Sequence, residues 1–169
     1  MFKNLCLTLI TFCLAIFLNS CTRLIIDEYE AVATTSLTWR VEYYIGSNDR
    51  PSRSRWEEFS SASLENINGE RPPDAFGEAD NQGLWWPRIP PKPTIDEVED
   101  LQKTGERHNP PEMLRQVDYT ISYRQGNSYV TLPTHYPVYR QAVRAAQSGQ
   151  ALKLTLRADE RFVEKAEAI

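Results

Sequence analysis

Apolar and polar residues alternate with period two over Leu37-Thr-Trp39-Arg-Val41-Glu-Tyr43-Tyr-Ile45. This predicts a half-buried strand with Leu37, Trp39, Val41, Tyr43 and Ile45 on one face, ended by Gly46-Ser-Asn-Asp. Ser54-Arg-Trp56-Glu57 has the spacing of a capping box and predicts a short helix from Arg55 to about Leu64. Residues 66–93 collect Gly69, Pro72, Pro73, Gly77, Gly83, Pro87, Pro90, Pro91 and Pro93, so a long irregular stretch is expected there. Thr94-Ile-Asp-Glu97 is a clearer capping box, opening a helix through Lys103 that stops at Gly105.

The C-terminal third carries the sharpest pattern. Val117–Arg124 alternates, Tyr129–Leu132 follows, and Gly126-Asn127 between them suits a two-residue hairpin turn. If Gln125 faces Ser128, then Tyr123 meets Val130 and Ile121 meets Leu132 on one face, with Ser122 and Thr131 paired on the other. Pro137 suits the first turn of a helix whose stripe is Val138, Tyr139, Ala142, Val143 and Ala146, ended by Gly149. Leu152, Leu154 and Leu156 alternate as another strand, and Asp159 suits the cap of a last short helix with Phe162, Val163 and Ala166 on one face. These elements predict an α+β fold, a small antiparallel sheet with helices on one face. The order βαββαβ is similar to a split-βαβ, ferredoxin-like arrangement with a long irregular insertion.

The N-terminus reads differently. Met1-Phe-Lys3-Asn precedes an apolar run from Leu5 to Leu18, then Asn19-Ser20-Cys21. A basic start, a core of roughly 7–15 apolar residues and a small residue before the cut describe an export signal, whereas a membrane span needs ~20 apolar residues. Leu18-Asn19-Ser20-Cys21 resembles the lipobox of bacterial lipoproteins, a resemblance covering residues 1–21 alone. It implies removal of residues 1–20, a diacylglycerol thioether and further acyl chains such as palmitate on Cys21, and a lipid-anchored location in the cell envelope. Residues 21–36 then serve as a lipidated tether, and residues 37–169 form one domain with the irregular Pro-rich insertion at 66–93. Two or three acyl chains hold a protein stably on its membrane.

Composition narrows the partners. Cys6 and Cys13 fall in the leader, so only Cys21 remains and the mature chain has no internal disulfide. Lys3 is the only charge in the first 20 residues, which leaves the mature chain at a net −5. That balance argues against a nucleic-acid partner, which requires a basic footprint. Residues 57–112 hold 13 acids and 5 bases, and residues 113–169 hold 5 acids and 8 bases, so the two parts have charges suited to docking on each other or to facing different partners.

Candidate chemistry is sparse. Trp85-Trp86-Pro87-Arg88-Ile89-Pro90-Pro91-Lys92-Pro93 is the most unusual segment. It has the residues to stack on a sugar, to dock in a partner's groove through its PxxP spacing, or to seal the middle segment onto the sheet. Trp85, Trp86, Arg88 and Lys92 are therefore the candidate partner surface. His108 and His135 sit beside prolines with neither a ligand pair at helical spacing nor a nucleophile elbow, so they read as loop residues. Asp96, Glu97, Glu99 and Asp100 offer carboxylates for a glycosidase-like pair, or form the solvent face of a capped helix. Arg40, Arg124, Lys153 and Arg157, with Tyr129, suit a basic patch or an ordinary polar sheet face. The expectation is a membrane-tethered, non-catalytic accessory or interaction protein of the envelope, with no cofactor and no metal. The alternatives are a carbohydrate or cell-wall module using Trp85 and Trp86, and a small carboxylate-dependent hydrolase.

Overall fold

The computed structural model describes residues 22–47 and 50–169. The leader, the lipobox and Cys21 lie outside the described residues. Ten elements follow in order: β1 (Arg23–Ile26), β2 (Tyr29–Ser47), β3 (Arg50–Ile67), α1 (Ile95–Asp100), β4 (Arg107–His108), β5 (Glu112–Gln125), β6 (Ser128–Thr134), α2 (Tyr136–Gln147), β7 (Leu152–Leu156) and β8 (Val163–Ala168). Two compact units divide the chain, one built from residues 32–119 and the other from residues up to 31 together with 120–169.

In the first unit, the predicted alternation of β2 extends well beyond Leu37–Ile45. Ala33, Thr35, Leu37, Val41 and Tyr43 are buried on one side, while Ile45 is exposed and Trp39 half-buried. A β2 of 19 residues presents a long row of backbone N–H and C=O groups that need partners. β3 supplies them, antiparallel from Val32↔Ile67 to Ser47↔Arg50, with irregularities beside Trp39 and Gly46. The helix expected over Arg55–Leu64 is therefore a strand. Its inward residues recur every second position (Arg55, Glu57, Phe59, then Ala62, Leu64 and Asn66), and its run of serines disfavours a helix interior. α1 has the full capping box, with Thr94 Oγ1 accepting from the Glu97 N–H and Glu97 accepting from the Thr94 N–H at 2.7 Å. It ends at Asp100 rather than Lys103. Its one buried side chain, Val98, joins Val41, Tyr43 and Phe59, and the Tyr43 hydroxyl donates to the Val98 carbonyl at 2.7 Å.

In the second unit, β1 pairs with β7, β7 with β8, and β8 with β6, the last pair parallel at Thr134↔Val163. Ile26, Leu152, Leu154, Leu156, Val163 and Ala166 are buried, and α2 lies against β8 with Val138, Tyr139, Ala142, Val143 and Ala145 buried. The hairpin agrees with its predicted register: Ser122 Oγ lies 2.7 Å from Thr131 Oγ1, Ile121 and Tyr123 are buried, and Val130 and Leu132 are half-buried. The last short helix is absent, because residues 163–168 are β8. Leu156 faces Val163 but Thr155 faces Lys165, so one extra residue shifts the alternation. That bulge puts Val163 and Ala166 three apart on one face and imitates helical spacing. Asp159 accepts from the Arg161 N–H in the turn joining β7 to β8.

The α+β expectation is overturned. Among the described residues the fold is mostly β, an eight-stranded mixed sheet in the order β1-β7-β8-β6-β5-β2-β3 with β4 on β2, and two helices. It is neither a small antiparallel sheet nor a split-βαβ. Two expected helices are strands, and the expected tether is sheet: residues 23–26 are β1 and residues 29–36 begin β2. No helix among the described residues is long and apolar enough to cross a membrane.

Candidate functional site

The irregular segment after β3 is anchored by two polar side chains. Asn66 is fully buried near the end of β3. Its Oδ1 accepts from the Trp85 N–H at 2.7 Å, and its Nδ2 lies 3.2 Å from the Trp85 carbonyl and 3.1 Å from the Ala33 carbonyl. An amide that meets both backbone groups of one residue acts as a strand neighbour would. The Thr35 hydroxyl adds a 2.8 Å bond to the same Trp85 carbonyl.

Asp80 organises the other anchor. Oδ1 accepts from the N–H groups of Gln82 and Leu84 at 2.9 and 3.0 Å, and Oδ2 accepts from the Trp86 indole at 2.8 Å. Burial pushes the Asp80 carboxyl up. The bonds from Trp86, Leu84 and Gln82, with the Arg115 charge, outweigh it and hold the carboxyl below its usual value. Gly83, at φ 77°, allows the turn, and Phe76 returns to pair with Trp86 through a 3.0 Å bond from its N–H.

From Trp85 onward the chain lies on β2 and β3. The Trp39 indole donates to the Pro90 carbonyl at 2.9 Å, and the Ser60 hydroxyl donates to the Pro91 carbonyl. Pro87 and Pro90 are buried, so the prolines of the PxxP spacing face the protein itself. Between this strap and the Phe76–Asp80 arm lies a cleft of about 320 Å³, lined by Leu37, Phe76, Glu78, Asp80, Trp86, Pro87, Ile89, Met113 and Arg115. Phe76 and Ile89, both lining the cleft, are 52% and 61% exposed. Arg115 covers the Trp86 ring at 4.2 Å, and Arg88 lies over Phe76 at 4.7 Å. Phe76, Pro87 and Arg88 also wall an adjoining cleft of about 490 Å³ against Ala62–Leu64 and Pro73–Ala75.

The four residues expected to form a partner surface are thus separated in role. Trp86 lines the cleft, Trp85 is half-buried and outside its lining, Arg88 caps Phe76, and Lys92 lies 5.6 Å from the Trp39 ring. Phe76, Asp80, Ile89, Met113 and Arg115 were not singled out from the sequence; Asp80-Asn-Gln-Gly83 is a turn signature that points to the Asp80 anchor. Nothing local marks Asn66.

The other candidates resolve as ordinary structure. Asp96, Glu97, Glu99 and Asp100 are exposed on α1, with Glu97 engaged in the cap. His108 packs 6.2 Å from Tyr43, and His135 packs 4.6 Å from Phe162 at the start of α2. The expected basic patch is largely ion-paired: Arg40 pairs with Glu112, Arg124 with Glu28 and Arg157 with Glu164, while Lys153 shares Glu167 with Lys165. No protein-family model, no curated protein and no solved structure matches the chain.

Proposed function

We propose that the chain is a bacterial envelope lipoprotein, acylated at Cys21, whose Trp86 cleft binds an extended apolar segment of a partner protein without catalysing a reaction on it. The observation that carries the binding reading is the exposure of Phe76 and Ile89 beside a cleft whose inner carboxylate, Asp80, is already engaged. Asp80 has both oxygens in hydrogen bonds and Arg115 lies on Trp86, so these two groups hold the cleft's shape, and Phe76, Ile89, Leu37, Met113 and Pro87 give it an apolar lining. Covering an exposed Phe or Ile contributes about 1–2 kcal/mol each once the half already buried is discounted. Glu78 and Arg88 at the rim supply charges of both signs for orientation. Lipidation rests on the apolar run and on Leu18-Asn19-Ser20-Cys21.

A photoreactive residue at position 89, introduced in the native envelope, should yield one discrete protein adduct. Phe76→Ser should abolish that adduct, because Phe76 is exposed and its loss leaves the backbone bond to Trp86 in place. Adducts as abundant from a probe at Glu99 on α1 would refute the reading, and so would none at all. An adduct to polysaccharide would favour the sugar-binding alternative.

A further inference from the structure

The sheet begins two residues after the proposed anchor. The Thr22 carbonyl accepts from the Leu156 N–H at 2.9 Å, and its hydroxyl donates to Glu160 Oε1 at 2.5 Å. β1 starts at Arg23 and pairs with β7 through Ile26. An extended residue spans only ~3.5 Å, so acyl chains on Cys21 hold this edge of the sheet at the lipid headgroups.

The pairing register says which residues share that edge. Arg23 faces Thr155, which faces Lys165; Ile25 faces Lys153, which faces Glu167. Directly opposed residues lie on one face of a sheet, and this is the face away from buried Ile26, Leu152, Leu154 and Ala166. Ile25 is 68% exposed on it. Glu167 is shared by Lys165 at 2.6 Å and Lys153 at 3.4 Å, so with Arg23 the face keeps two net positive charges although the chain as a whole is acidic. Around it, Arg157 is neutralised by Glu164, whereas Glu160, which accepts from the Thr22 hydroxyl beside the start of β1, keeps a formal negative charge off this face.

We infer that the outer face of β1, β7 and β8 docks on an anionic lipid surface, with Arg23, Lys153 and Lys165 against the headgroups and Ile25 entering the interface. The inference rests on acylation of Cys21. Acylation of Cys21 would bring this edge beside lipid, and the net charge of this face is opposite to that of the chain, which fits a headgroup layer of negative potential. An exposed Ile among lysines is the composition of an interfacial face.

The test uses the full chain, produced with its leader and reconstituted in vesicles of phosphatidylcholine alone or mixed with phosphatidylglycerol. Ile25→Cys and, as reference, Glu99→Cys are reacted with a membrane-impermeant maleimide. On anionic vesicles Ile25→Cys should react at least about tenfold more slowly than the reference, and Lys153→Gln and Lys165→Gln should each restore about fivefold, as one basic group near a charged surface implies. Equal rates at the two positions, or equal protection on neutral vesicles, would overturn the docking while leaving the anchor intact. Mass spectrometry of the same sample separates the two ideas: an unacylated residue 21 would overturn the anchor, and the docking with it.

Discussion

Replacing Asn66 by alanine withdraws the side chain that substitutes for a missing strand beside Trp85. The Trp85 carbonyl keeps its bond from Thr35, but the Trp85 N–H loses the acceptor that stood 2.7 Å away. A buried donor left without a partner costs about 1–3 kcal/mol. The space vacated by a fully buried amide adds about 1 kcal/mol. The total, about 2–4 kcal/mol, should lower the urea midpoint of the purified protein by about 1–2 M. Trp85 and Trp86 flank the lesion, so their fluorescence reports it directly.

Asn66→Asp sharpens the test because it preserves shape and the acceptor but replaces the amide donors. The introduced carboxylate would face the Ala33 and Trp85 carbonyls, 3.1 and 3.2 Å from the nitrogen it replaces. Its folded pKa must therefore rise above the unfolded value of about 3.9. A raised carboxyl pKa penalises the fold increasingly as pH climbs above the unfolded value. The deficit relative to wild type should be larger at about pH 8 than at about pH 4.5. A loss under about 0.5 kcal/mol for Asn66→Ala, or an Asp deficit independent of pH, would refute the strand-substitute argument.

Three further perturbations follow from the geometry. Asp80→Ala leaves Gln82, Leu84 and the Trp86 indole without their acceptor; a loss of about 2–4 kcal/mol is expected, with faster amide exchange at Leu84 as the local readout. Hydrogen bonds from Arg55, then one from the Lys103 N–H, hold the Glu106 carboxyl down from 4.5 to about 2. A depressed carboxyl contributes stability that is complete above the unfolded value and is lost as pH falls toward about 2, so Glu106→Gln should flatten that part of the acid-unfolding curve. Thr94→Ala removes the cap of α1, and a loss of about 1 kcal/mol, seen as faster exchange at Val98, is expected.

Elements specified by neighbours close in sequence were legible without coordinates. The β5–β6 hairpin needs only its glycine turn and a matching alternation, α2 only its proline start and apolar stripe, and α1 only the Thr94–Glu97 reciprocity. β3 was not legible, because what makes it a strand is the unsatisfied length of β2, and its own Ser54–Glu57 spacing imitates a helix start. β8 was hidden by a bulge that converts strand alternation into a three-residue interval. Residues 23–36 read as a tether because β1 acquires its partner from β7, more than a hundred residues away.

The candidate site divides along the same line. The chain on its own determined that Trp85 to Pro93 would be stiff and aromatic, and it carried the N-terminal apolar run and Cys21. Only tertiary structure decided that Pro87 and Pro90 turn inward, that Trp86 and not Trp85 lines the cleft, and that Phe76 and Ile89 stand exposed beside it. It also turned four cations of the expected basic patch into ion pairs. The physical reason is reach. Turn, cap and amphipathic preferences act over a few residues, whereas Asn66 with Trp85 and Arg23 with Thr155 become neighbours only once backbone hydrogen bonding has chosen the order of the strands.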